Sequence, residues 1–251
     1  MNNIALVTGA SRGLGKSMAL HLADKGCDII LTYLNNRDQA DSVIKEIQKK
    51  GQRAVALQLD VIKPDTFTGF VDRVKVTLRE VWQRENLDFL VNNAGFGVFK
   101  EFIETTEEDF DLMMDAHVKA PFFLTQKLLP YINDGGRIVN ISSGLTRFTF
   151  PGYIAYASMK TALETMTRYL AKELGHRQIR VNVLAPGAIE TDFSSGKVRD
   201  TKDLNDLIAS NTALGRVGQP DDIGGVVATL LDENTGWING QRIEVSGGQS
   251  I

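Results

Sequence analysis

The fold is decided by the segment IALVTGASRGLG, which spans Ile4–Gly15 near the start of the chain. Ile4–Thr8 is a short, largely apolar run that stops at Gly9, and this predicts a buried strand. Apolar residues recur at helical spacing over Leu14–Lys25, so the glycines lie between a strand and a helix. Glycines at such a turn let the backbone approach a pyrophosphate, and the helix N-terminus offers free N–H groups. The segment therefore predicts a dinucleotide-binding turn, with a purely structural turn as the weaker alternative.

The same alternation of strand and helix continues to the end of the chain. Near-continuous apolar strands that alternate with helices predict an α/β, Rossmann-type, doubly wound and mainly parallel sheet with helices on both faces. Ligands of such sheets bind at the carboxyl ends of the strands. Seven strands are predicted, at Ile4–Thr8, Asp28–Tyr33, Arg53–Leu59, Leu87–Val91, Arg137–Ile141, Ile179–Leu184 and Gln241–Val245. The main helices are predicted at Leu14–Lys25, Asp38–Lys50, Thr66–Gln83, Glu107–Tyr131, about Tyr156–Gly175 and Asp221–Asp232.

The pattern predicts one domain over residues 1–251, interrupted by a polar stretch at about 188–219. This stretch has one short helical pattern, at Leu204–Ala209, and we interpret it as a substrate lid rather than a surface excursion.

Composition excludes several classes of protein. A formal net charge of −3 over 251 residues leaves no basic surface for nucleic acid. The one cysteine, Cys27, excludes an internal disulfide framework and indicates a reducing compartment, so we expect a cytoplasmic protein. No apolar run is long enough to span a membrane, and no secretory signal is recognisable. No metal site is expected, because the histidines lack ligand spacing.

The residues after the second strand favour NADP(H) over NAD(H). An NAD site usually carries an acidic residue there to bind the ribose 2′-hydroxyl. This chain has no acid before Asp38, whereas Arg37 follows Asn35 and Arg12 lies within the glycine turn. Guanidinium groups can clamp a 2′-phosphate, which a carboxylate would repel. NAD(H) stays open as the alternative.

A serine, a tyrosine and a lysine form the candidate catalytic group. Tyr156 and Lys160 stand at i and i+4 of a predicted helix, and Ser143 follows the strand that precedes it. A phenol has a pKa of about 10, which a cation within about 4–6 Å can lower by about one to three units. A serine hydroxyl can hold a carbonyl oxygen beside that phenol. The three predict proton transfer to a carbonyl as a nicotinamide supplies hydride.

With these motifs in this order, the chain resembles the short-chain dehydrogenase/reductase family, in its single-domain branch of about 250 residues. It is similar to 3-oxoacyl-(acyl-carrier-protein) reductase-like members. Further matching motifs are Asp60-Val61, Asn92–Gly95, Pro186–Thr191 and Gly247-Gly248. The resemblance implies an oxidoreductase acting on a carbonyl or secondary alcohol. With the positions argued above, the cofactor-binding set is Gly9, Ser11, Arg12, Gly13, Leu14, Gly15, Asn35, Arg37, Asp60, Val61, Asn93, Ala94, Gly95, Tyr156, Lys160, Pro186, Gly187, Ile189 and Thr191.

One position departs from the family pattern. The family's fourth catalytic residue is an asparagine that helps to hold a proton-relay water, and here His117 takes its place. One interpretation is a tolerated residue packed between helices. The other is that His117 joins the relay and adds a group that titrates near pH 6.5.

Apolar side chains near the candidate site predict an aliphatic or aromatic carbonyl substrate. They are Phe96, Leu145, Phe148, Phe150, Tyr153 and Phe193, with Ser143 as the polar contact. Arg177 matches one position that would dock an acyl carrier protein, but residues 133–136 carry no base for the other. The resemblance further implies a homotetramer or homodimer formed through the helices at Glu107–Tyr131 and about Tyr156–Gly175.

Three other functions stay open. An NAD(H)-dependent alcohol or sugar dehydrogenase would keep the same catalytic group. A non-catalytic nucleotide-binding homologue would keep the fold alone. A nucleotide-sugar dehydratase or epimerase normally needs a longer chain.

Overall fold

A seven-stranded parallel sheet forms the centre of the computed structural model, which describes residues 2–251. The strand order is β3-β2-β1-β4-β5-β6-β7, and every neighbouring pair is parallel. The predicted doubly wound α/β fold is therefore confirmed. The strands are β1 (Ile4–Val7), β2 (Asp28–Tyr33), β3 (Ala54–Gln58), β4 (Leu87–Asn92), β5 (Ile132–Ile141), β6 (Arg180–Pro186) and β7 (Arg242–Val245).

Helices cover both faces of the sheet, as predicted. The α-helices are α1 (Gly13–Asp24), α2 (Arg37–Lys49), α3 (Phe67–Trp82), α4 (Glu107–Met114), α5 (Ala120–Leu128), α6 (Ile154–Glu173), α7 (Lys197–Asp200), α8 (Lys202–Ser210) and α9 (Pro220–Leu230). Alternate side chains of β1 enter two separate cores, because successive residues of a strand point to opposite faces. Ala5 and Val7 pack with α1, α2 and α9, whereas Ile4 and Leu6 pack with α3 and α5.

The order of the strands creates a crevice at the carboxyl end of β1. This strand pairs with β2 on one side and with β4 on the other, with Val7 opposite both Leu31 and Val91. The connections that leave β1 and β4 run to opposite sides of the sheet, and the crevice between them is where ligands of such folds bind. Residues that directly follow β1 and β4 are therefore brought together.

The predicted helix at Glu107–Tyr131 is confirmed in its bounds, but its hydrogen-bond pattern changes along its length. After α4 the chain forms a π-helical stretch over Asp115–Lys119, then α5, and then a 3₁₀ turn over Leu129–Tyr131. Pro121 and Pro130 have no N–H to donate, so the α-helical hydrogen bonds cannot continue unbroken through this region. His117 lies within the π-helical stretch, and π-helical turns occur frequently at functional sites.

Two other segments differ from the sequence-based expectation. The fifth strand begins at Ile132 rather than Arg137, and its pairing with β4 shifts register between Leu87 and Phe89. The segment at 188–219 is more helical than expected, because α7 and a 3₁₀ turn at Phe193–Gly196 precede α8. Within residues 2–251, no helix is both long and apolar enough to cross a membrane.

Candidate active site

The glycine turn after β1 is packed too closely for side chains. A Cβ atom on Gly15 would lie 2.4 Å from the carbonyl oxygen of Gly9 and 2.6 Å from Nδ2 of Asn93. Gly9 itself has φ of +64°, and its Cβ would lie 2.8 Å from the Cα of Ala94. These glycines keep the first turn of α1 close to the segment after β4.

The N-terminus of α1 is suited to an anion. Arg12 is the N-cap residue and its side chain makes no capping hydrogen bond, and the first turn contains no acidic residue. The first N–H groups of the helix lack intrahelical acceptors and carry partial positive charge. A Cβ on Gly13 would lie 3.7 Å from the side chain of Thr191, so the turn faces the segment after β6. This donor set fits the pyrophosphate of a dinucleotide.

Asn93 fastens β4 to the glycine turn. Its Nδ2 donates to the carbonyl oxygens of Thr8 at 2.8 Å and Gly9 at 3.2 Å. The Thr8 hydroxyl in turn accepts from the backbone N–H groups of Asn93 at 2.9 Å and Ala94 at 3.0 Å. The structure thus brings Asn93 and Ala94 against the glycines with which the sequence grouped them.

The two arginines expected at a 2′-phosphate lie at the protein surface. Arg37 Nε donates to Asp41 at 2.9 Å, and its guanidinium lies 5.7 Å from the centre of the Tyr33 ring. Arg12 Nη1 lies 3.6 Å from a carboxylate oxygen of Asp192 in the 188–219 segment. Exposed ion pairs contribute little stability, so both guanidinium groups can turn to a phosphate at small cost. Asn35 is also exposed, in the same loop as Arg37.

The remaining cofactor candidates follow β3 and β6. The Asp60 carboxylate accepts from the backbone N–H of Ile62 at 3.2 Å, and Val61 lines the same cavity as His117. After β6, the N–H of Gly187 donates to Val245 at 3.1 Å, and Ile189 pairs with Gly218.

Tyr156 and Lys160 are both buried on α6 beside the end of β5. Lys160 Nζ donates to the carbonyl oxygen of Ile141 at 2.7 Å and lies 5.5 Å from the centre of the Tyr156 ring. Ser143 follows β5 by two residues and caps a 3₁₀ turn, with its Oγ accepting from the N–H of Leu145 at 3.2 Å. The structure therefore assembles the three residues that the sequence grouped.

Burial shifts the pKa values of the two ionisable groups in opposite directions. It lowers the pKa of Lys160 to about 7. It raises the pKa of Tyr156 well above 10, while a hydrogen bond from the Ser143 hydroxyl acts in the lowering direction. The expectation that the ammonium makes the phenol more acidic is not met in the protein alone, because removal of water penalises both charged forms.

His117 lies against the edge of the tyrosine. Its ring centre is 5.0 Å from that of Tyr156 with an interplanar angle of 89°, and its Nε2 donates to the carbonyl oxygen of Phe96 at 2.6 Å. Burial, followed by the charge of Lys160, holds the pKa of His117 well below its usual range. The suggestion that it titrates near pH 6.5 is therefore wrong. Gly95 leaves room for the imidazole, since a Cβ there would lie 2.5 Å from its Cε1.

A small cavity adjoins both His117 and Lys160. Its volume is about 20 Å³, enough for one water molecule, and Asn92 and Thr8 also line it. His117 Nδ1 is buried and has no hydrogen-bond partner among residues 2–251, so its lone pair is available to an O–H or N–H donor. In the same described part of the chain, no cluster of three or more His, Cys, Asp or Glu residues could hold a metal ion.

Aromatic rings surround the phenol. The Tyr156 ring centre lies 5.6 Å from that of Phe193 and 6.2 Å from that of Tyr153, which contacts Phe99 at 5.3 Å and Phe150 at 6.2 Å. The Tyr153 hydroxyl also lies 3.2 Å from the Ser194 hydroxyl, which ties the 188–219 segment to this wall.

Leu145 and Phe148, both expected to contact substrate, differ in whether they lie beside Tyr156. Leu145 packs in the small apolar cluster that includes Tyr156. Phe148 instead packs on Gly144, where a Cβ would lie 2.7 Å from its ring, and under the guanidinium of Arg147 at 5.4 Å. Phe99 was not predicted from the sequence, because it lies outside the interval between Ser143 and Tyr156. Only its position a few residues after β4 could have indicated it.

Comparisons with known proteins agree on one family. A family model described as Enoyl-(Acyl carrier protein) reductase matches residues 9–250. The chain is 38% identical to the hydroxynaphthalene reductase-like protein Arp2 of Metarhizium brunneum, over 98% of this chain and 94% of that protein. It is 35% identical to a short-chain dehydrogenase/reductase of Pestalotiopsis microspora, with the same two coverages. The crystal structure of the landomycin C-6 ketoreductase LanV with bound NADP and rabelomycin superposes with a TM-score of 0.90, at 37% identity over 99% of this chain and 96% of that one.

The lowered pKa of Lys160 predicts a stability that rises with pH. Its folded pKa is about 7 against an ordinary 10.5, so above pH 7 the unfolded chain holds a proton that the folded chain has released. We expect the free energy of unfolding of the wild type to increase by about 1–3 kcal/mol between about pH 7 and about pH 9, and that of Lys160→Met to lack this increase. Urea unfolding of both proteins at the two pH values measures the difference. The same pH dependence in both would contradict the buried, deprotonating lysine.

Proposed function

The chain belongs to the short-chain dehydrogenase/reductase family, and we propose that it is an NADPH-dependent reductase of small-molecule ketones. The observation that carries this proposal is the pair of buried residues Tyr156 and Lys160, with the half-buried Ser143 beside them at the carboxyl end of β5. A buried phenol with a raised pKa is protonated at neutral pH, which is the state that a carbonyl reduction requires.

NADP(H) is the cofactor that the residues fit. The N–H groups at the start of α1 would hold its pyrophosphate, and Arg12 with Arg37 would hold the 2′-phosphate. The structure of the ketoreductase LanV contains bound NADP, which supports NADP(H) as the cofactor of this chain. When bound, the nicotinamide supplies the hydride. By resemblance, Lys160 would also bind the nicotinamide ribose.

The protein's own residues would perform the proton chemistry. The Ser143 hydroxyl would hold the carbonyl oxygen of the substrate, and the Tyr156 hydroxyl would donate its proton to that oxygen. Lys160, with a pKa near 7, can either hold or release a proton at neutral pH and so return one to the phenol. The complete set favours an enzyme over a non-catalytic homologue.

A free small molecule fits better than a carrier-bound acyl chain. Arg177 was the one basic residue expected to dock a carrier protein. Its Nε donates to Asp134 at 2.7 Å, and its two terminal nitrogens donate to the carbonyl oxygens of Leu129 and Ile132. Because these internal hydrogen bonds occupy the guanidinium, it is poorly placed to bind a carrier protein.

The test of this function is reduction of a ketone with the tyrosine removed. We expect the wild type to oxidise NADPH in the presence of 2-tetralone, and Tyr156→Phe to lose at least about 100-fold in kcat because its ring has no proton to donate. Nicotinamide absorbance measures turnover, and tryptophan fluorescence quenching by NADPH checks that the variant still binds cofactor. Full activity of the variant, or NADPH binding by the wild type without turnover of any ketone, would contradict the proposal.

The aromatic wall indicates the kind of ketone. Phe99, Phe150 and Phe193 are each more than one third exposed at the wall around Tyr156, so a flat apolar ligand would cover surface that now contacts water. One relative is named a hydroxynaphthalene reductase-like protein, after a fused aromatic compound, and the ketoreductase LanV holds bound rabelomycin. We therefore propose that fused aromatic ketones are preferred over aliphatic ones.

A matched pair of ketones tests this preference. 2-Tetralone and 2-decalone share the carbonyl position and the carbon skeleton, and differ in one aromatic ring. We expect kcat/KM to favour 2-tetralone by about tenfold, and Phe193→Leu to lower that ratio at least about threefold, because one stacking ring is lost. Phe110→Leu, which alters an exposed ring on α4 outside the wall, is the control. A ratio near one in the wild type would rule out aromatic selection.

His117 is proposed as a neutral hydrogen-bond acceptor in the proton path. Its Nδ1 would accept from a water in the cavity shared with Lys160.

Two substitutions separate this role from simple packing. His117→Phe keeps a ring but removes both Nδ1 and the Nε2 donor to Phe96, and we expect its kcat to fall about tenfold. His117→Asn restores an acceptor oxygen, and we expect its kcat to stay within about threefold of the wild type. Steady-state kinetics with NADPH and 2-tetralone give both values. An unchanged kcat in His117→Phe would leave the residue with packing alone.

The homotetramer or homodimer and the cytoplasmic location stay predictions from the family resemblance. Phe122 and Phe123 on α5 and Tyr169 on α6 are exposed on the helices expected to form the interface, which supports assembly there.

A further inference from the structure

A buried carboxylate beside the proposed active site has no part in the roles above. Glu164 lies on α6 and is 8% exposed. Its Oε1 accepts from the hydroxyls of Ser142 at 2.7 Å and Thr146 at 2.8 Å, and from Nε of Arg242 at 3.0 Å. A buried carboxylate is stable only when it is paired and hydrogen-bonded, so these three donors fix its position.

Two of the donors flank the proposed catalytic serine. Ser142 directly precedes Ser143, and Thr146 ends the 3₁₀ turn Gly144–Thr146 that Ser143 caps. The Thr146 hydroxyl, which has one proton, also lies 2.9 Å from the carbonyl oxygen of Ser143, but the carboxylate of Glu164 is the stronger acceptor. We call the segment from Ser142 to Thr146 the serine turn. One oxygen atom of Glu164 therefore holds both ends of it.

Glu164 itself belongs to the helix that carries the tyrosine. It follows Lys160 by four residues and Tyr156 by eight, so the three side chains project from the same face of α6. The carboxylate thus joins the segment that carries Ser143 to the segment that carries Tyr156.

Further ion pairs hold Arg242, the third donor to Glu164, in place. Arg242 also donates to Glu244 at 2.9 Å, and Arg147 donates to both oxygens of Glu244 at 2.8 Å and 2.6 Å. Arg147 in addition binds the carbonyl oxygens of Gln249 and Ser250. The hydrogen bond from Arg147 is the main reason that the pKa of Glu244 is lowered to about 2, so this carboxylate is ionised at neutral pH. Two carboxylates and two guanidinium groups alternate from α6 to the C-terminal segment.

From this geometry we infer that Glu164 is a positioning residue, which fixes the Ser143 hydroxyl relative to the Tyr156 phenol. The inference rests on the proposed function, because it assigns those two groups to the reaction. Removing the carboxylate would free both ends of the serine turn. Misplacing a reacting group by about 1 Å can cost about 100-fold in rate.

Three variants distinguish positioning from a purely structural role. Glu164→Leu removes the acceptor, whereas Glu164→Gln keeps an acceptor oxygen. Thr167→Val is the matched control, because Thr167 is fully buried one turn further along α6 and accepts from Asn140 of β5 at 2.9 Å without contacting the serine turn.

We expect a selective loss of kcat. With NADPH and 2-tetralone, kcat of Glu164→Leu should fall by about 10- to 100-fold, with KM for NADPH within about twofold of the wild type. Glu164→Gln should recover kcat to within about threefold, and Thr167→Val should lose thermal stability but keep kcat within about twofold. In alcohol oxidation, the pH of half-maximal rate should rise in Glu164→Leu only, because the hydrogen bond from Ser143 that lowers the phenol pKa is lost.

Each result is decisive. If Glu164→Leu does not fold, Thr146→Val removes one arm of the same junction and is expected to lower kcat about fivefold. An unchanged kcat and pH profile in the folded variant, or an equal loss of kcat in Thr167→Val, would overturn the positioning role. A wild type that turns over no ketone would instead refute the proposed function.

Discussion

The candidate active site depends on polar groups that one face of α6 keeps out of water. Tyr156, Lys160 and Glu164 are all buried along this face. Buried polar groups are costly unless they find partners, and the partners come mainly from β5 and the turn that follows it. The contact between α6 and the end of β5 therefore fixes the relative positions of serine, tyrosine and lysine before any ligand binds.

The same burial sets the protonation states. Loss of water favours the neutral form of each group, which raises the pKa of Tyr156, lowers that of Lys160 to about 7 and keeps His117 uncharged. The free protein thus holds a protonated phenol beside a lysine that exchanges protons at neutral pH. This combination suits reduction, in which the Tyr156 phenol gives up its proton and Lys160 returns one to it. The charge of a bound cofactor would then act on a site in which the tyrosine, the lysine and the histidine are largely neutral.

Much of the architecture could be predicted from the sequence, because local patterns carry it. The glycine turn after Ile4–Thr8 and the alternation of apolar strands with helices gave the sheet, its seven strands and the edge where ligands bind. The bounds of the helix at Glu107–Tyr131 were predicted, but not its division into α, π and 3₁₀ parts, because periodicity alone does not register the lost N–H groups of Pro121 and Pro130. The grouping of Ser143 with Tyr156 and Lys160 followed from spacing along neighbouring elements.

What the sequence could not give depends on burial and on contacts between distant segments. The protonation of His117 follows from its burial beside Lys160, which residue type alone does not reveal. Glu164 went unnoticed because its donors come from positions 18, 22 and 78 residues away along the chain. Such positioning residues become visible only once strands and helices are assembled.

The central claim is that burial, and not the nearby ammonium, controls the acidity of Tyr156 in the free protein. NMR titration of the protein labelled with ¹³C at the tyrosine phenol carbon measures this directly, with Tyr156→Phe used to assign the signal. The account predicts a phenol pKa above its ordinary value of about 10 in the free protein and a lower one when NADP⁺ is bound. A pKa below about 10 in the free protein would contradict it.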